Sequence, residues 1–124
     1  MNHFLFLVGT HFIGDFPFQS EWMVNFKGKD CAFPVKGKDG APDTVIKVAK
    51  WYEVLFYHVS VYVFTNVVFS RLVGYNPTPQ GIAIDAGTHF VIDTLKCRGH
   101  IKRIWLDQLC HITVRASLWH LGWL

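Results

Sequence analysis

Three apolar stretches each carry a histidine and an aspartate four residues apart: His11 and Asp15 in HFIGDFPFQ, His89 and Asp93 in IDAGTHFVID, Asp107 and His111 in LDQLCHITVR. Residues i and i+4 of a helix lie one above the other, so each stretch predicts an apolar helix bearing one polar stripe. Gln19 extends the first stripe, Asp85 the second and Arg115 the third. Any fold of this chain must turn those stripes towards something polar.

One such pair is ordinarily a surface contact worth about 0.3 kcal/mol. The set is different. Asp15, Asp93 and Asp107 are flanked by apolar residues, and His58 lies within the longest uncharged run. Unpaired buried charges are costly, and Arg115 alone cannot neutralise three carboxylates. A divalent metal can, and imidazoles with carboxylates suit zinc first, then manganese or iron. The candidate ligands are His11, Asp15, His58, His89, Asp93, Asp107 and His111. They outnumber the four of a closed zinc site and suffice for one ion or two. Gln19, Gln108, Asp85 and Arg115 are expected around them as hydrogen-bonding or substrate-contacting groups. An open, water-bearing centre of this kind points to hydrolysis.

At 124 residues the chain has room for a single domain, 1–124. It is 51% hydrophobic and 17% charged, where an ordinary soluble domain is about a quarter charged. Val54 to Ser70 runs for 17 residues without a charge, at the short end of the roughly 17–25 that span a bilayer. Proline- and glycine-rich breaks divide the chain into four predicted helices, 3–26, 45–73, 82–97 and 104–123. Ten of the twelve basic residues flank two connections: Lys27, Lys29, Lys36, Lys38, Lys47 and Lys50 the first, Lys96, Arg98, Lys102 and Arg103 the third. The positive-inside rule makes both connections cytoplasmic.

The expected fold is therefore an all-α, four-helix transmembrane bundle with both termini on the non-cytoplasmic side, multi-pass in a bacterial inner membrane. Its basic loop, 27–50, repeats KGKDCAFPV as KGKDGAPDT and would face anionic lipid head groups. A mean hydropathy of only +0.23 keeps a soluble bundle with an internal polar network as the competing fold. The first segment has no basic n-region and no small-residue cleavage site, so it is expected to stay in the mature chain.

Other chemistries find no pattern. Cys31, Cys97 and Cys110 have no C-x-x-C spacing. Neither G-x-S-x-G nor a glycine-rich phosphate loop is present, and a net charge of +3 placed in loops gives no reason to expect nucleic acid.

HFIGDFPFQSEW, HFVID and DQLCH, in this order and with His58 between the first two, resemble a family of small bacterial and phage multi-helix membrane proteins of unknown function. The likeness covers nearly the whole chain, through the motifs H-x3-D-x3-Q, H-x3-D and D-Q-x2-H. More distantly the pattern is similar to the membrane-bound metal-dependent hydrolases. The resemblance implies an integral membrane protein with a polar, metal-binding core, and no particular substrate. Pro17 departs from the family pattern and predicts a kink near Ile13 that displaces Gln19.

Two functions follow. One is a metal-dependent hydrolase acting on a lipid-linked or membrane-accessible substrate. The alternative is a non-enzymatic membrane component, either a proton or ion pathway or a subunit of a larger membrane or phage assembly, which uses the same residues as a relay. Both leave room for an oligomer.

Overall fold

Pro17 ends the first helix instead of bending it. It has no N–H for the carbonyl of Ile13, and its ring disfavours helical backbone at Phe16. In the computed structural model, which describes residues 3–37 and 43–124, α1 (His3–Asp15) stops two residues before the proline. Ser20 then restarts the helix, its hydroxyl accepting the N–H of Met23 at 3.3 Å to open α2 (Glu21–Phe26). The single helix expected over 3–26 is thus two.

The basic segment is not a plain loop. Its β-branched residues form an antiparallel hairpin, β1 (Cys31–Val35) and β2 (Thr44–Ala49), with Val35 opposite Thr44 and Phe33 opposite Ile46. Pro34 is tolerated there because each strand of a two-stranded sheet has an open edge. Lys38 and Pro42 lie outside the described residues.

The longest helix, α3 (Trp51–Leu72), starts only after the hairpin, not at 45. The backbone N–H of Lys50 donates to Glu53 Oε2 at 2.6 Å, and that of Trp51 to Asp30 Oδ1 at 3.2 Å. Thr78 caps α4 (Pro79–Cys97), accepting the N–H of Gly81 at 3.0 Å, with Pro79 in the first-turn position where its missing N–H costs nothing. Finally α5 (Ile104–His120) gives way to Gly122 at φ +72°, and Trp123 folds back so closely on Gly81 that a Cβ there would overlap its carbonyl. Helix α3 packs against α1, α2 and α4, and α5 closes on α4 and α1.

These elements overturn the all-α, four-span transmembrane bundle and, with it, the argument that placed both termini outside. At 1.5 Å per residue, the 13 residues of α1 extend about 20 Å, short of a hydrocarbon core of about 30 Å. Among the described residues only α3 is long and apolar enough to cross a membrane. Three of the lysines read as setting topology have carboxylate partners: Lys27 on Asp93, Lys96 on Asp107 and Lys50 on Asp30.

The polarity of the interior is inverted. Thr10, His11, Asp15, His58, Asp93, Asp107 and Arg115 are buried, while Phe56, Phe64, Leu72, Val91 and Trp105 face outward. The buried apolar cluster is small, Leu7, Leu118 and Leu124 with Val114 packed against it.

Candidate metal centre

Helical spacing puts His89 over Asp93 on α4 and His111 over Asp107 on α5, and the packing of α1 and α3 adds Asp15 and His58. Asp15, His58, His89 and Asp93, all buried, offer ligand atoms within 4.8 Å of one another. His58 Nε2 lies 3.3 Å from Asp15 Oδ1, 3.2 Å from Asp93 Oδ2 and 3.2 Å from His89 Nε2. His89 Nε2 is 3.8 Å from Asp15 Oδ1 and 4.0 Å from Asp93 Oδ2. Ligand atoms set tetrahedrally around zinc at 2.0–2.1 Å stand about 3.3 Å apart, so this group needs little movement to close on an ion.

A second group, Asp93, Asp107 and His111, shares Asp93 with the first. His111 Nε2 lies 3.5 Å from Asp93 Oδ1 and 3.7 Å from Asp107 Oδ1, separations that attract without closing a hydrogen bond. These same three atoms are buried and have no hydrogen-bond partner among the described residues. Buried polar atoms are nearly always satisfied, so three unsatisfied atoms facing one another could share a common partner. The two groups could hold a metal ion.

His11, expected among the ligands, has both ring nitrogens engaged elsewhere. Nδ1 meets the hydroxyl of Tyr62 at 3.2 Å and Nε2 meets Gln108 Oε1 at 3.0 Å. Gln108 passes the link on, its amide nitrogen donating to Asp15 Oδ2 at 2.8 Å and to Asp107 Oδ2 at 3.2 Å. His11 and Gln108 therefore orient carboxylates of both groups. Although the helix ends before it, Gln19 still reaches the site, with its amide nitrogen 3.1 Å from His58 Nδ1.

Asp85 and Arg115 form a separate buried pair two turns along α4. Arg115 Nη1 donates to Asp85 Oδ2 at 3.1 Å and to the Tyr62 hydroxyl at 2.6 Å. The Tyr62 ring also stacks on His89, with centroids 3.9 Å apart, so the pair braces the centre from one side.

Burial, helped by the nearby His111, lowers His11 to about 4, and burial lowers His89 well below the ordinary imidazole range. Burial would raise Asp15, but the approach of His58 and His89 holds it well below the usual carboxylate range. Asp93 is likewise held down against its burial, by His111 and His58. A neutral His89 and ionised Asp15 and Asp93 are the forms in which these groups bind metals.

Sequence reasoning missed three residues here. Tyr62 follows His58 by four positions and Asn66 follows Tyr62 by four, so α3 carried a stripe of its own that could have found Tyr62. Lys27 and Lys96 left no such signal, because a lysine flanking a basic connection reads as solvated until the fold brings it to a carboxylate.

No family model, curated protein or solved structure matches the chain.

Proposed function

We propose that the chain is a metal-dependent hydrolase whose centre is built from Asp15, His58, His89, Asp93, Asp107 and His111, holding two divalent ions, zinc foremost and manganese or iron in its place. The observation that carries this reading is the convergence of three orphaned, buried ligand atoms, Asp93 Oδ1, Asp107 Oδ1 and His111 Nε2. Asp93 argues for two ions: its Oδ2 faces His58 while its Oδ1 faces His111, so each oxygen serves a different group. Bound divalent ions supply Lewis acidity, polarising an ester or phosphoryl oxygen and acidifying water. Around them Gln108 and His11 orient Asp15 and Asp107, Gln19 steadies His58, and the Arg115–Asp85–Tyr62 cluster keeps the far side closed.

Metal analysis of the purified chain tests the reading. About two equivalents of a transition metal are expected, with loss in His89→Ala. Less than half an equivalent, unchanged in that variant, overturns it. Chromogenic carboxylic and phosphate esters then test hydrolysis, which should vanish on chelation and return with the ion.

One observation favours a second reading. Asp85, Tyr62, His11, Gln108 and Asp15 form an unbroken hydrogen-bonded line, as a metal-free relay in a non-enzymatic component would. A chain that purifies without metal and takes up none when it is added decides for the relay.

A further inference from the structure

The two groups lie beneath a pair of ammonium groups. Lys27 Nζ is 3.1 Å from Asp93 Oδ2, and Lys96 Nζ is 2.5 Å from Asp107 Oδ2. Lys27 gets there because Gly28 has no side chain: a Cβ at that position would stand 3.1 Å from Cys97 Cβ, so the turn after α2 presses directly on the last turn of α4. Solvent reaches this side more than the side braced by Arg115. The Lys96 side chain is 28% exposed and that of Lys27 10%, whereas Arg115, on the opposite side, is 2% exposed. Arg98, Lys102 and Arg103 continue the positive charge along the exposed link to α5.

Formal charge then decides what such a mouth admits. Without ions, Asp15, Asp93 and Asp107 outnumber the two ammonium groups by one. Two divalent ions would leave three positive charges in excess inside a low-dielectric interior, a state that only an anion relieves. The ions would also take over the carboxylate oxygens on which the ammonium groups now rest, leaving Lys27 and Lys96 to face whatever enters. A phosphomonoester dianion offsets two of those three charges, with enough oxygens to meet ions and ammonium groups together.

We infer that Lys27 and Lys96 select a phosphoryl group, so that the centre is a phosphomonoesterase; this rests on the metal-dependent hydrolase reading. In the reaction the oxygen of water bonds to phosphorus and the ester P–O bond breaks. The proton of that water ends on the leaving alkoxide, giving an alcohol and inorganic phosphate.

The test uses the full chain loaded with zinc, its metal content measured first. Inorganic phosphate, titrated by calorimetry, should bind in the range of about 1 mM or tighter, and only when metal is present. Lys27→Gln and Lys96→Gln should each weaken binding about tenfold with metal content unchanged. Lys27→Arg and Lys96→Arg keep the charge and should stay within about threefold of the parent chain. Phosphate release is then measured from glycerol 3-phosphate in buffer and from phosphatidic acid in detergent micelles, and the arm that responds distinguishes a free from a lipid-borne substrate. A metal-loaded chain that binds no phosphate, that binds it equally well in the glutamine variants, or that releases phosphate from neither ester overturns the inference while the metal centre stands. A chain that takes up no metal overturns both.

Discussion

Asp85 and Asp93 sit two turns apart on α4, both buried, and they meet their cations in opposite ways. Asp85 is closed off: its oxygens take the Tyr62 hydroxyl and Arg115 Nη1, and burial still raises its pKa in spite of the guanidinium. At Asp93, Oδ2 faces Lys27 and His58, but Oδ1 has no hydrogen-bond partner among the described residues, and the carboxyl is held well below its usual range. The first arrangement fixes a helix pair. The second leaves an oxygen that could take a metal ion.

Substitutions should separate these roles. Asp93→Asn removes the carboxylate shared by both groups and should cost more than about 100-fold in metal affinity, beyond what loss of an outer partner costs. Metal titration reads it, and a loss below about tenfold would mean that Asp93 is no ligand.

Arg115→Met strands a buried carboxyl and should lower stability by about 3–5 kcal/mol in urea unfolding, with metal stoichiometry unchanged. A loss below about 1 kcal/mol would show that Asp85 is held as the neutral acid and needs no partner.

Gln108→Ala leaves every ligand in place but frees Asp15 and His11. Metal affinity should fall about 10–100-fold with little change in unfolding. Outside both regions, Thr78→Ala removes the cap of α4 and should cost about 1 kcal/mol in thermal unfolding while leaving metal affinity alone. Any effect of that variant on metal uptake would mean that helix stability, not ligand chemistry, governs the site.

The helical stripes were legible because a four-residue spacing acts within one helix. His89 with Asp93 and His111 with Asp107 needed no tertiary information to share a face, and the breaks around Pro77 and Pro79 were equally local. The hairpin was not legible, since TVIKVA borders an apolar run and its strand character depends on pairing with CAFPV across the turn. The membrane topology misled for a related reason. Lysines were read as flanking the connections by their place in the chain, whereas Lys27 and Lys96 answer to carboxylates 66 and 11 residues away.

The sequence by itself determined which side chains could act together on each helix and that the interior of any bundle they formed would be polar. Only the tertiary structure decided how those groups divided the work. It gave both nitrogens of His11 to hydrogen bonds, paired Asp85 with Arg115, and turned the two oxygens of Asp93 to different neighbours. The physical reason is range: helical periodicity orders neighbours within a turn, but the free ligand atoms of a metal site are those left over once every long-range hydrogen bond has been made.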